Sequence, residues 1–202
     1  FYYVQIAPYN YNEEIPSLAA ELREAQFLTL SKENVGMAVT MDIGNATNIH
    51  PRNKQDVGKR LALWALAKDY GENNLVYSGP LYKDVEFKGK QAIVSFNHIG
   101  SGLYSPDKDL TYFELAGEDL KFYPAKAHIN ENKVIVQSNK VQIPKIVRFA
   151  WKDAAMPNLY NEEGLPASSF RSSNQDRLEL EELYPPANTT VKYHTEWTRE
   201  HY

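Results

Sequence analysis

The residue of this chain best suited to chemistry is a histidine that follows an apolar run. Residues 36–43 read as a buried strand with Asp42 near its end, a polar loop then leads to His50, and a capped amphipathic helix follows. This order is typical of α/β hydrolytic enzymes, which hold a general-base histidine at the carboxyl edge of a parallel sheet. As a base, His50 would take a proton from an attacking hydroxyl and return it to the leaving group. The alternative is a loop histidine that hydrogen-bonds the backbone.

A base requires a nucleophile, and the sequence shows none in a recognisable setting. The chain has no cysteine, and Ser168 and Ser169 lack the strand–turn–helix context of a nucleophilic serine. We therefore expect the chain to be part of a catalytic assembly. It also begins on residues that read as a strand already under way, which suggests a processed, truncated or incomplete polypeptide.

The acid that would orient the histidine is not obvious. Aspartate often precedes such a histidine by two or three positions, but here those positions hold Asn48 and Thr47. Asp42 is the nearest upstream acid and is a candidate catalytic residue. It could orient the ring or the loop, or bind backbone amides where the strand ends. A Ser–His dyad, with a backbone carbonyl holding the imidazole, is the alternative.

Four further residues are candidates for substrate binding. Arg23 and Gln26 could reach a substrate carboxylate or fix the histidine loop, or they could belong to an exposed salt-bridged turn. Arg171 ends a rigid loop and suits bidentate carboxylate recognition, unless that loop only closes the fold. Trp151 is most simply a core residue of a strand, with sugar stacking as the alternative.

Composition excludes several classes of protein. The net charge of −4 gives no basic field for nucleic acid, and no apolar run approaches the roughly 20 residues of a membrane span. The absence of cysteine excludes disulfides and thiol chemistry. The histidines outside the loop, at 98, 128, 194 and 201, show no metal-ligand spacing, so we expect no metal site.

The hydrophobic pattern divides the chain into three segments, 1–75, 76–175 and 176–202. The first predicts a strand over 2–7, a helix over about 16–32, a strand over 36–43 parallel to the first, and a helix from about 54 to 70. Asn53 is the expected N-cap of the second helix and Gly71 its C-cap. Two parallel strands and two helices cannot bury both faces of a sheet, so this α/β piece needs further neighbours.

The second segment changes to short β runs separated by turns, which indicates an antiparallel β-sandwich-like domain. Residues 157–175 read as a long polar loop. The third segment could be a docked arm, a linker or disordered.

The same stretches resemble the sialate O-acetylesterases, also called sialic-acid-specific 9-O-acetylesterases, of the SGNH-hydrolase superfamily. The two longest are Ile49-His50-Pro51-Arg52-Asn53-Lys54-Gln55 and Gly164-Leu165-Pro166-Ala167-Ser168-Ser169-Phe170-Arg171. The others are residues 4–8, 22–26, 42–44, 57–62, 78–82, 100–103 and 147–151. They occur in family order over roughly residues 1–171.

The resemblance implies the carboxy-terminal piece of an SGNH-type three-layer α/β hydrolase domain, followed by an antiparallel β-sandwich-like domain. It implies a serine-type ester hydrolase that removes O-acetyl groups from sialic acids without a cofactor. His50 would be its base, and the nucleophilic serine would lie in an amino-terminal portion of the same polypeptide. Relatives often carry aspartate where this chain has Asn48, and asparagine cannot supply a charge to the imidazolium. The resemblance also implies a secreted or periplasmic protein.

Two alternatives remain open at this point. The chain could be a carbohydrate-binding or structural module without catalysis, or an O-acetylesterase for xylan or another acetylated polysaccharide. If the chain is part of an esterase, we expect it to be inactive alone, and its partners to be an O-acetylated sialic acid or glycan and the amino-terminal portion of its own polypeptide.

Overall fold

A strand–helix–strand unit begins the fold in the computed structural model, which describes residues 1–12 and 14–172. Strand β1 (Tyr2–Val4) and strand β2 (Gly36–Ala38) are parallel, and helix α1 (Leu18–Thr29) connects them. The predicted parallel pair is confirmed, although both strands are shorter than the sequence suggests. The two strands form a sheet of their own. A three-layer α/β arrangement therefore stays a prediction.

Helix α2 (Lys54–Lys68) is the second predicted helix and packs against β2. Asn53 caps its start, because the Asn53 side chain accepts a hydrogen bond from the Asp56 amide at 3.1 Å. The helix ends at Lys68 and its C-cap is Asp69, two residues before the predicted cap Gly71. On the buried face, the Trp64 indole donates to the Met37 carbonyl at 2.9 Å. A Cβ on Gly36 would lie 2.5 Å from the Trp64 ring, so glycine is required for this contact.

Short antiparallel strands make up the rest of the described chain, as the sequence predicts. They are β3 (Leu81–Lys88), β4 (Gln91–Asn97), β5 (Leu103–Tyr104), β6 (Phe113–Ala116), β7 (Tyr123–Pro124), β8 (Lys126–Asn130), β9 (Lys133–Gln137), β10 (Ile146–Phe149), β11 (Tyr160–Asn161) and β12 (Phe170–Arg171). They form two four-stranded sheets, ordered β3-β4-β9-β8 and β12-β10-β6-β7, and a small pair, β11-β5.

The two larger sheets share one hydrophobic core. Val94 and Val136 from the first sheet, and Leu115 and Val147 from the second, are fully buried in the same cluster. Alternation along each strand produces this core, because successive side chains point to opposite faces of a sheet. The shared core agrees with the predicted β-sandwich-like arrangement.

The expected polar loop at 157–175 is wrong for its described part. Residues 165–170 are buried, and β11 and β12 lie within this segment. Asn161 is the reason: its side-chain amide donates to the carbonyls of Ser78 and His98, and its oxygen accepts from the Leu165 amide. Polar residues therefore satisfy buried backbone here instead of facing water.

Residues Phe1–Ser172 form one compact unit. The boundary expected near residue 75 stays a prediction, and the segment 176–202 lies outside the described residues. Within the described part of the chain, no helix has the length and hydropathy needed to cross a membrane.

Candidate functional site

The His50 loop leaves β2 and is held by hydrogen bonds within itself. Asn45 accepts at its side-chain oxygen from the Thr47 amide at 2.9 Å and from the Asn48 amide at 3.1 Å. Asn48 in turn accepts at its side-chain oxygen from the His50 amide at 2.9 Å. Successive turns of this kind fix a backbone without regular secondary structure. The loop therefore presents His50 from an ordered frame.

The loop also packs closely on the segment that follows β1. The Asn45 amide donates to the Pro8 carbonyl at 2.9 Å, and a Cβ on Gly44 would lie 2.5 Å from that same oxygen. Glycine at position 44 is thus needed for the contact. The segments that follow the two parallel strands therefore meet at the base of the histidine loop.

His50 itself is exposed to solvent. Among residues 1–12 and 14–172, no hydrogen bond or ion pair reaches its imidazole ring. An exposed imidazole without an internal partner remains available to a hydroxyl supplied from elsewhere. Its role as a general base stays a prediction.

Asp42 is bound to a residue that the sequence did not single out. Arg60 on α2 donates to both carboxylate oxygens of Asp42 at 2.7 Å and to the Val39 carbonyl at 2.7 Å. The two side chains are only 8% and 14% exposed. Asp42 therefore ties the start of the histidine loop to α2. Its catalytic role stays a prediction, but this geometry makes it a positioning residue.

Tyr160 lies within electrostatic reach of the same pair. Burial raises the pKa of its hydroxyl, the Asp42 carboxylate raises it further, and Arg60 opposes the rise. The tyrosine is therefore a neutral hydrogen-bonding group at neutral pH. Sequence analysis missed it because it comes from β11, far along the chain.

Arg23 is fully buried rather than facing a solvent-filled site. Its guanidinium donates to the carbonyls of Ile6 at 3.1 Å, Lys152 at 2.9 Å and Asp153 at 2.6 Å. Burial lowers the pKa of Arg23 to about 10, so the side chain stays charged at neutral pH. Contact with a substrate stays a prediction that this geometry does not favour.

Gln26 holds the end of β1. Its side-chain oxygen accepts from the Ile6 amide at 2.9 Å, and its nitrogen donates to the Val4 carbonyl at 3.1 Å. Gln26 thus binds the backbone from which the Pro8 segment continues. Its expected roles, in fixing the histidine loop or in binding substrate, stay predictions.

Arg171 and Trp151 are brought together by the fold. The Arg171 guanidinium lies 4.7 Å from the centre of the Trp151 ring and donates to Glu24 on α1 at 2.8 and 2.9 Å. The carboxylate that Arg171 binds is therefore an internal one. Trp151 is 4% exposed, which fits a core aromatic residue more readily than a sugar-stacking surface. The substrate-binding roles of both residues stay predictions.

Acidic and imidazole side chains do not gather at a metal-binding geometry in the described part. Residues 1–12 and 14–172 contain no group of three or more His, Cys, Asp or Glu side chains able to hold a metal ion.

Comparison with known proteins relates this fold to the carbohydrate acetylesterases. A crystal structure of a carbohydrate acetylesterase from Xanthomonas citri superposes with a TM-score of 0.81 at 42% identity, over 86% of this chain and 41% of that one. No family model matches the sequence.

The curated relatives are sialate O-acetylesterases. The human protein is 30% identical over 155 residues, which are 68% of this chain and 29% of the relative. The rat protein is 31% identical over 127 residues, or 58% of this chain and 23% of the relative. These matches confirm the resemblance to the sialate O-acetylesterase family. The matched region spans about a quarter of the length of these relatives, which fits the expectation that the chain corresponds to one portion of them.

Proposed function

We propose that this chain is the carboxy-terminal part of a serine-type carbohydrate O-acetylesterase and supplies its general base, His50. The observation that carries the proposal is an exposed imidazole on a loop fixed by Asn45, Asn48 and the Asp42–Arg60 pair. An ordered loop places the ring without a large entropic cost at the moment of reaction. The esterase names of the relatives support the reaction class.

His50 would act twice in this reaction. A serine hydroxyl from the amino-terminal portion attacks the acetyl carbonyl while His50 takes its proton, and the sugar oxygen leaves with that proton. The acetyl group is then on the serine. In the second half, His50 takes a proton from water, the resulting hydroxide attacks the acetyl carbonyl, and the serine oxygen leaves and regains the proton. Acetate and the free sugar hydroxyl are the products.

We further propose that the amino-terminal portion of the polypeptide covers the outer face of α1. Leu18 and Leu22 lie one helical turn apart on this helix and are 45% and 47% exposed. The β1–β2 sheet nearby has two strands, fewer than a parallel sheet normally needs. Additional strands and helices would bury both features.

The test is acetate release by the full-length protein. We expect release from an acetylated sugar, and we expect His50→Ala to lower kcat by about 10² to 10⁴. Lys90→Ala, in the exposed turn after β3, should leave kcat unchanged. Equal activity of His50→Ala and wild type would contradict the proposal. So would acetate release from an aryl acetate by the 202-residue chain alone.

The preferred sugar is a separate comparison. We propose 9-O-acetylated sialic acid, because the curated relatives are named sialate O-acetylesterases. A higher kcat/KM on acetylated xylan would reassign the substrate and leave the role of His50 intact. The resemblance also supports a secreted or periplasmic location, which fractionation of the native host would test.

A second candidate function is glycan binding without catalysis. It is favoured by the large β-rich part of the chain and by a groove at the edge of its β3-β4-β9-β8 sheet. Glycan binding that His50→Ala does not change, together with an inactive full-length protein, would support it.

A further inference from the structure

A groove of about 480 Å³ lies at one edge of the β3-β4-β9-β8 sheet. Its lining includes Lys126, His128, Gln137, Ser138, Asn139 and Lys140. Its volume is within the range of small-ligand sites in proteins. Its lining includes neither the histidine loop nor Arg171 and the residues that contact it, Trp151 and Glu24.

The alternation of the strands creates the polar floor of this groove. Ala127 on β8 and Val136 on β9 face the core, so Lys126 and His128 point outward beside Gln137. Lys126 on β8 lies opposite Gln137 on β9, and Gln137 lies opposite Gln91 on β4. The Gln91 amide donates to the Gln137 oxygen at 3.4 Å. A row of cationic and amide side chains thus ends at the groove.

The rest of the lining includes a turn after β9 that hydrogen bonds hold in place. Ser138 donates from its hydroxyl to the Pro124 carbonyl at 3.0 Å, and the Lys140 amide donates back to the Ser138 hydroxyl at 3.4 Å. Gln142 donates from its side chain to the Asn139 carbonyl at 3.0 Å. Lys140 and Asn139 are therefore presented from a defined backbone.

The charge of the groove is of one sign. Among the described residues that line it, two are lysines, one is a histidine and none is acidic, in a chain whose net charge is −4. A local positive site in a net acidic protein would attract an anion without attracting polyanions to the whole surface. The neighbouring amides and hydroxyl supply donors and acceptors of the kind that bind sugar hydroxyls.

We propose that this groove binds a carboxylate-bearing sugar of a glycan chain. Lys126 and Lys140 would hold the carboxylate, while Gln137 and Asn139 would hydrogen-bond ring hydroxyls. The choice of a sugar over another anion rests on the proposed function, whereas the choice of an anion rests on the groove alone.

Titration of the 202-residue chain with sialyllactose, followed by amide NMR, tests this inference. We expect shifts centred on residues 124–140, and much weaker binding of lactose, which lacks the carboxylate. Lys126→Gln and Lys140→Gln should each weaken binding by about two- to fivefold, because each removes one exposed charge pair with the carboxylate. The control is Lys88→Gln. Lys88 lies in the same cross-strand row as Lys126, but three strands away on β3, at a distance of roughly 14 Å.

Three results would overturn the inference. Lactose binding as tightly as sialyllactose would show that charge is not recognised. Inorganic phosphate displacing sialyllactose at equal concentration would show a general anion site. An equal loss of affinity in Lys88→Gln would show non-specific attraction. Because His50→Ala should bind sialyllactose normally, failure of the esterase proposal and failure of this one are distinguishable.

Discussion

At the scale of single residues, the Asp42–Arg60 pair explains how the histidine loop is anchored. Arg60 satisfies both oxygens of Asp42 and also the Val39 carbonyl, so one guanidinium joins α2 to the end of β2. Charged groups that are largely buried are stable only when their hydrogen bonds are complete. The pair is therefore a positioning device for the loop.

Replacing Arg60 should destabilise the protein strongly. Arg60→Met leaves the Asp42 carboxylate unpaired, and we expect the free energy of unfolding to fall by about 3 kcal/mol. Chemical denaturation of the 202-residue chain measures this. Lys59→Met, at the neighbouring exposed position of α2, should stay within about 0.5 kcal/mol of wild type. Equal stability of the two variants would show that the pair does not hold the loop.

At the scale of elements, an aromatic cluster joins α2 to the β-rich part. The Trp64 and Tyr77 rings lie 4.6 Å apart, and Tyr77 meets His98 at 5.2 Å. Lys68 completes the cluster, with its ammonium 4.4 Å from the centre of the Tyr77 ring. Burial lowers the pKa of His98, and the charge of Lys68 lowers it further. The cluster therefore favours the neutral imidazole.

The stability of the chain should depend on pH through His98. The folded pKa lies below the ordinary value of 6.5, so the unfolded state binds the proton more readily. Stability is then fully present above pH 6.5 and falls as the pH decreases through and below that value. His98→Gln should flatten the dependence of unfolding free energy on pH between pH 7 and 5.5, whereas His50→Ala should retain it. A wild-type curve that rises towards acid would contradict this assignment.

At the scale of the whole described unit, Arg23 connects parts that are distant in sequence. Its guanidinium joins α1 to the end of β1 and to the backbone at residues 152 and 153. Asp153 also contacts α1, because its side-chain oxygen accepts a hydrogen bond from the Ala19 amide at 2.7 Å. Arg171 adds a second link to α1 through Glu24. The α/β part and the β-rich part thus share one polar framework.

Removing Arg23 should loosen that framework. Arg23→Met leaves three carbonyls without their donor, and we expect a loss of at least about 3 kcal/mol in the free energy of unfolding. Arg23→Lys keeps the charge but not the forked geometry, so its free energy of unfolding should lie between those of Arg23→Met and wild type. Glu21→Gln, exposed on the same helix, is the control. A change of less than about 0.5 kcal/mol in Arg23→Met would contradict a framework role.

Local patterns in the sequence predicted much of this structure. Periodicity gave both helices and the run of antiparallel strands, Asn53 marked the start of α2, and the motif around His50 pointed to the sialate O-acetylesterases. These features depend on residues close together in the chain. The dihedral preferences, caps and alternation that produce them act over a few positions. The sequence alone therefore determined the elements and the family resemblance.

Only the tertiary structure decided which partners the charged side chains take. Arg171 binds Glu24 across 147 positions, and Arg23 binds the Lys152 carbonyl across 129. No periodicity records such pairs, so the sequence could not show that Arg23 binds buried carbonyls or that Arg171 binds a carboxylate of the same chain. The same holds for residues 157–175, which read as a polar loop, because the contacts of Asn161 accompany the burial of residues 165–170 within it. A polar side chain is placed by whichever distant group can satisfy its hydrogen bonds, and folding alone brings that group near.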